Sequence, residues 1–512
     1  MLEQKYKSPL RKLVKFFEQS RDQWKEKYFQ KKNQVKQLQN RVRYLERTKQ
    51  EWKQKAQNLK AEVKPLEEKI LSIKKIKKKT IKTISNIEDF EIIPFHHKYS
   101  VGHMMLFFSF VNTAASSLRG GVLSLEVVKN FFDLSLEIPS WHSARLWLLR
   151  LGYYKLMRPK IQANDWIWVV DHNVQLGCEK NFVILGIRLC NLPPVGKCVK
   201  HEDIEPIDLS PVIQSNGEIV FQQLEENIAK TGVPKVIVAD HGSDLKAGID
   251  RFCNIHPETI YIYDIKHKIA SILKYELQNE EAWIEFKSLA SQTKNQLQQT
   301  PLAHHCPPNQ RAKARYMNVD KLVKWAYGQL KFLQQNENKN ENKNEKLIEK
   351  LSWLWDYQDQ IEEWNQLINE VTYVENFVKK QGLTQKSHSE LSKQLEEQLP
   401  FNSSLRVKNV RIQLIYFVKE QGSKAEVGER LLGSSEVIES VFGKQKRLEQ
   451  YQSKSGFTGL ILGIAAMVST TTSEIVKKAM ETVPTKMVLD WCKENIGSSV
   501  QAKKIEMLEA IK

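Results

Sequence analysis

The six cysteines of this 512-residue chain, Cys178, Cys190, Cys198, Cys253, Cys306 and Cys492, include no CxxC pair. That excludes a zinc ribbon and a disulfide-framed scaffold, and it fits a reducing compartment. Long apolar runs are also missing. The longest, Met104–Val111 and Gly456–Val468, fall short of the roughly 20 residues a helix needs to span a bilayer. Residues Met1 to Lys15 alternate charged and apolar types without the apolar core of a secretion signal. These absences point to a soluble cytoplasmic protein, long enough for two to four domains. Acidic residues are scarce in one region only. Residues 1–85 hold 26 Lys and Arg against 9 Asp and Glu, so +17 of the net +18 sits in the first sixth of the chain. A block so lopsided in sign is the electrostatic footprint of a polyanion binder, with double-stranded DNA the expected partner.

What that region does contain is a heptad. Val14, Phe17, Trp24, Tyr28, Val35, Leu38, Val42, Leu45, Trp52, Ala56, Leu59, Val63, Leu66, Ile70 and Ile73 alternate spacings of three and four, interrupted by Arg21, Lys31 and Lys49. The pattern predicts a coiled-coil seam and a homodimer or higher oligomer, with a kink or stop at Pro65 and a basic tether over Lys74–Lys82.

Residues 86–160 read as a helical domain of helix-turn-helix type. A helix is expected near Leu125–Phe132, then a turn, then a second helix opened by the N-cap Ser140. On that second helix His142, Ser143 and Arg145 are candidates for the DNA groove and Arg150 for a phosphate; ordinary solvent-facing residues would fit the same pattern. From Asp165 the period changes. Strands at WIWVVD, NFVILGIRLC, Lys197–Ile207, VPKVIVAD and TIYIYD alternate with helices after the third, giving β-β-β-α-β-α-β-α, the order of an RNase H-like α/β sheet. Residues 281–425 interrupt this with helical, Trp-rich sequence, an all-α insertion containing the exposed low-complexity run Asn336–Lys346. Helices over Gly433–Tyr451, Leu460–Met467 and Ser473–Lys512 follow within the last segment, residues 426–512.

Asp171 and Asp240 each end a strand, the first and the fourth, which are neighbours in such a sheet. Two carboxylates at one sheet edge suit hard divalent cations, which take oxygen ligands and stabilise the attacking and leaving oxygens of phosphoryl transfer. A third carboxylate is due from a late helix, where GSSEVIESVFGKQK offers Glu436 and Glu439. Cys253 with His256, and His304, His305 and Cys306, lack the paired half a zinc site requires. Trp283, Trp325, Trp353, Trp355 and Trp364 sit at helical spacing, which suits core packing as well as stacking on a flipped base.

Asp171, Asp240 and Glu439 resemble the DDE triad of bacterial insertion-sequence transposases. Lys446, seven residues after Glu439, resembles the lysine that follows the glutamate in many of them, with Lys444 close by. Asp264 and His267, in YIYDIKH, resemble the signature of transposases with an all-helical insertion, such as the hAT and Mutator-like groups. The tyrosine and arginine usual upstream of the glutamate are absent, Leu432 and Ser435 standing there instead. The resemblance implies catalytic and metal-binding roles for Asp171, Asp240 and Glu439, Mg²⁺ or Mn²⁺ as cofactor, and DNA contacts at Lys446, Lys444 and His267. It also implies cleavage of element ends with transfer of the 3′-hydroxyl to target DNA, in a bacterial, nucleoid-associated protein. Two other readings share these residues: a metal-dependent nuclease of the same fold, and a non-catalytic DNA-bridging protein built on the coiled coil.

Overall fold

The computed structural model describes residues 9–80, 87–134, 137–174, 180–309, 319–336, 345–398, 403–450, 458–497 and 507–509. It comprises two units, divided between Ile84 and Ser85. The first holds one helix, α1 (Leu10–Thr80). Its seam residues Val14, Phe17, Trp24, Tyr28, Val35, Leu38, Val42 and Leu45 are all exposed, so among the described residues nothing in this unit covers that part of the stripe. The helix passes through Pro65 without stopping, and it continues over Lys74–Thr80 in place of a tether. Proline's fixed φ is helical; the lost hydrogen bond and ring clash cost about 3 kcal/mol, which neighbouring good helix formers absorb.

The second unit opens with α2 (Val101–Phe108), α3 (Leu118–Phe131) and α4 (Trp141–Met157). Helix α3 starts a full two turns before the expected Leu125. Ser117 Oγ caps it by accepting the Gly120 amide at 3.0 Å, and Gly121 sits where a Cβ would lie 3.0 Å from the Phe107 ring. Gly121 serves close packing, and neither glycine breaks the helix. Ser140 caps α4 as its type and position dictate, accepting from the Ser143 amide at 3.1 Å.

Strands β1 (Trp166–Val174), β2 (Lys180–Arg188), β3 (Glu205–Val212), β4 (Val236–Ala239) and β5 (Ile260–Tyr263) form one sheet in the order β3-β2-β1-β4-β5. The first three are antiparallel neighbours, while β1, β4 and β5 run parallel. Helices α5 (Gly217–Thr231) and α6 (Ser243–Ile255) connect β3 to β4 and β4 to β5, and α7 (Ile265–Leu277) follows β5. The third strand begins at Glu205, later than Lys197, because short 3-10 turns occupy Leu189–Asn191 and His201–Asp203. This mixed sheet is compatible with an RNase H-like domain.

The pleat sorts the side chains. Trp166, Trp168, Val170, Phe182 and Ile184 pack with Val220, Leu224, Ile249 and Phe252 of α5 and α6. Ile167, Val169, Val236, Val238 and Ile262 face the opposite side and join the larger core. Asp171, Asp240 and Asp264 each fall two residues beyond the last apolar member of that second stripe. Strand parity therefore delivers three carboxylates to one end of one face.

The remaining helices are α8 (Glu281–Leu297), α9 (Val319–Asn336), α10 (Glu345–Leu351), α11 (Gln358–Gln381), α12 (Ser387–Gln398), α13 (Leu405–Gly422), α14 (Glu436–Gln450), α15 (Leu462–Met467), α16 (Ser473–Thr482) and α17 (Thr485–Asn495). Residues 337–344 of the low-complexity run lie outside the described residues. Pro484 splits the single C-terminal helix expected from Ser473 into α16 and α17, since its missing N–H suits a helix start and not an interior. Helix α4 packs against α15, α16, α17 and β3, so residues 86–160 share one core with the sheet instead of forming their own. At the heart of that contact Lys155 is fully buried. Its Nζ donates to the carbonyls of Val468 (2.7 Å) and Ser469 (3.0 Å) and to Thr471 Oγ1 (2.7 Å), capping the end of α15. Among the described residues no helix is long and apolar enough to cross a membrane.

Candidate active site

The site is organised by Asp264, which is fully buried directly after β5. One carboxylate oxygen accepts the His267 amide at 3.0 Å and caps α7; the other accepts the Ser435 amide at 2.8 Å, immediately before α14. A residue at the sheet edge thus fixes where the late helix begins. Ile265 N donates to Gly433 O at 3.1 Å and reinforces the joint. One turn into α14, Glu439 reaches the sheet end, where Lys266 Nζ lies 2.5 Å from its Oε2 and His267 Nε2 lies 3.3 Å from its Oε1. The other nitrogen of His267 is 3.7 Å from Asp240 Oδ2. The imidazole therefore stands between Asp240 and Glu439.

Asp240 turns away from β4 in a tight loop in which its Oδ1 accepts the Gly242 amide at 2.9 Å. The hydroxyl of Tyr261 donates to its carbonyl at 2.5 Å. Its neighbour His241 stacks on Tyr263, the rings 3.5 Å apart and nearly parallel. On the adjoining strand β1, Asp171 accepts the His172 amide at 2.6 Å. Burial, then the charge of Asp240, pushes the Asp171 carboxyl up to about 7. For His267, burial works against the proton, but Glu439, Asp264, Asp240 and Asp171 outweigh it and raise the ring to about 9. Glu439 responds oppositely: burial would raise it, yet His267 and Lys266 hold it below the ordinary carboxylate value.

Among the described residues, Asp264, His267 and Glu439 form a group that could hold a metal ion, their ligand atoms lying within 4.8 Å of one another. Asp264 is the least available of the three, because each of its oxygens already accepts a backbone amide. Glu439 Oε1, by contrast, is a buried oxygen with no aligned hydrogen-bond donor. A buried carboxylate oxygen that His267 approaches without a well-aligned hydrogen bond, beside two further carboxylates, fits a hard cation.

The other sequence candidates are placed as follows. Glu436 turns away from the carboxylates and pairs with Lys379 at 2.9 Å. Lys446 is exposed further along α14, and Lys444 donates to the carbonyl of Asn112 at 3.1 Å. His142 is exposed at the start of α4, with Ser143 engaged by the Ser140 cap. Arg145 is largely packed near Gly459 and Cys492, and Arg150 donates inward to the carbonyls of Val483 (2.5 Å) and Met480. Trp283 and Trp364 are buried against Phe286; Trp325 and Trp353 donate to His305 O and Thr293 Oγ1, each at 2.9 Å. His256 pairs with Glu225 at 2.7 Å, and His305 bonds Gln329 at 2.8 Å.

Sequence reasoning missed Lys266, which no periodicity separates from Lys268. It also missed Asn173 and Asn181, directly paired across β1 and β2 on the Asp171 face. Both are buried, and among the described residues their side-chain amides have no hydrogen-bond partner, a polar patch only strand parity and register could have revealed.

Asp240 and Asp264 directly follow β4 and β5, whereas Asp171, expected to end its strand, lies three residues inside β1, which continues to Val174 in its pairing with β2. A five-stranded mixed sheet carrying these carboxylates on one face is what fold and site define together. No family model matches the chain, and no curated protein matches it. Among solved structures it is similar to the Drosophila P element transposase strand transfer complex, with a TM-score of 0.36 and 10% sequence identity, over 79% of this chain and 100% of that one. A likeness that loose fixes neither fold nor function.

Proposed function

We propose that the protein is a DDE-type transposase, an enzyme that cuts DNA strands and joins the freed 3′-hydroxyl to a target. The observation that carries this reading is the meeting of Asp240 and Glu439 on the two sides of His267, with Asp171 on the neighbouring parallel strand. Asp171, Asp240 and Glu439 would hold Mg²⁺ or Mn²⁺. When bound, such an ion supplies Lewis-acid stabilisation of the oxygens in phosphoryl transfer. The chain's own groups do the positioning. Lys266 holds the Glu439 carboxylate in place, and Asp264 sets the start of α14 so that Glu439 meets the sheet end. Lys446, exposed on that helix, offers a cation for a DNA phosphate, and His142 offers a contact beyond the site.

Purified protein, Mg²⁺ and duplex DNA carrying the repeats that flank its gene test the proposal. Nicking at the repeat ends followed by joining supports it; nicking without joining favours the nuclease reading, and no cleavage with either metal refutes both.

A further inference from the structure

The exposed stripe of α1 carries information about what covers it. A groove of about 360 Å³ on its surface is lined by Val35, Leu38, Gln39, Val42 and Arg43. With Val14 as position a of the heptad, Val35 and Val42 are a positions, Leu38 is d and Gln39 is e. The set a-d-e-a is the hole that receives a d-position knob from a parallel partner, and the knob of the matching layer is Leu38 of a second copy. β-Branched residues at a with Leu at d, as in Val35, Leu38, Val42 and Leu45, select two strands.

The same register brings like charges together. Arg21, Lys31 and Lys49 each meet their own counterpart in the seam, and Lys27 at g faces Lys32 at e of the partner; Arg41 facing Glu46 is the opposite-sign pair. Within one helix the relief is local. Arg21 pairs with its neighbour Asp22 at 3.0 Å, and Lys27 and Lys32 lie over the rings of Trp24 and Tyr28. The apolar layers favour pairing, and the excess positive charge opposes it. An anionic polymer along the outer face removes the opposing term.

We infer that two copies of α1 pair in parallel and in register, and that the pair is closed by a polyanion, the phosphate backbone of duplex DNA. The inference rests on this helix and not on the catalytic reading, so either can fail alone.

The test uses the full chain with Leu38→Cys in the seam or Gln37→Cys on the outer face, under mild oxidation, with the unsubstituted chain as background for the native cysteines. Leu38→Cys is expected to cross-link roughly tenfold faster than Gln37→Cys, because only seam positions come within disulfide reach. Short random-sequence duplex DNA is expected to raise that rate several-fold at low salt, and added sodium chloride without DNA to raise it too, by screening. Equal rates for the two variants overturn the seam. A faster cross-link between Leu38→Cys and Val42→Cys copies than between two Leu38→Cys copies overturns the parallel register. Pairing at low salt that is equally fast with and without DNA overturns the closure by polyanion.

Discussion

Replacing Asp264 tests whether this buried carboxylate, and not the catalytic cluster, sets the position of α14. Asp264→Ala removes two acceptors at once. Loss of the α7 cap costs about 1 kcal/mol, and leaving the Ser435 amide buried without a partner costs about 1–3 kcal/mol more. The sum, about 2–4 kcal/mol, falls on the joint between α7 and α14. At 1.4 kcal/mol per factor of ten, amide exchange in the first turn of α14 should accelerate roughly 30- to 1000-fold. Asp264→Asn keeps an oxygen for one amide but turns its NH₂ toward the other, so about half the effect is expected. Hydrogen exchange with mass spectrometry reads residues 433–442 directly, with α6 as an internal control. Unchanged exchange over α14 in Asp264→Ala would refute the assignment. Acceleration spread equally over α6 would refute it too, since a local joint predicts a local effect.

Three further outcomes follow from particular interactions. Burial, then Arg158, lowers Lys155 to about 7, so between about pH 7 and pH 10.5 the unfolded chain binds a proton the folded chain does not, and stability should rise with pH across that window. Chemical denaturation at several pH values checks this, and Lys155→Met should flatten the rise. In Gly152→Ala the new Cβ would stand 2.0 Å from the backbone oxygen of Leu462; because a carbonyl in α15 cannot rotate aside, a loss of about 3 kcal/mol or more is expected in thermal melts. Deleting residues 1–84 removes nearly all the net charge, so DNA affinity should fall in a binding titration. The slope of log affinity against log salt should become shallower as well, by about 0.9 for each phosphate that the shortened chain no longer neutralises.

The sheet was readable in the sequence because strand parity and turn residues are local signals. WIWVVD alternates cleanly between two cores, and VPKVIVAD ends where its pleat requires. The neighbouring placement of the strands bearing Asp171 and Asp240 followed from element order alone. Contacts that close across long stretches of chain were not readable. Nothing near Asp264 announces a bond to Ser435, and nothing near Lys155 announces an acceptor cage beyond α15. The pattern from Leu125 to Leu151 shows two helices, the second capped by Ser140, but whether α4 offers a face to solvent depends on α15 and α16, far along the chain. The early start of α3 was not readable for a related reason, since Gly121 inside the helix is explained only by the Phe107 ring packed against it.

The central claim is that Asp171, Asp240 and Glu439 act together on a DNA phosphate, and cleavage by four single variants measures it most directly. Asp171→Asn, Asp240→Asn and Glu439→Gln each keep shape and remove one negative charge, so each should abolish Mg²⁺-dependent cleavage while DNA affinity stays within about threefold. Glu436→Gln should cut normally, because Glu436 faces Lys379 and not the carboxylates. Cleavage at the wild-type rate by all four variants would contradict the account, and loss in Glu436→Gln with retention in Glu439→Gln would move the third carboxylate to Glu436.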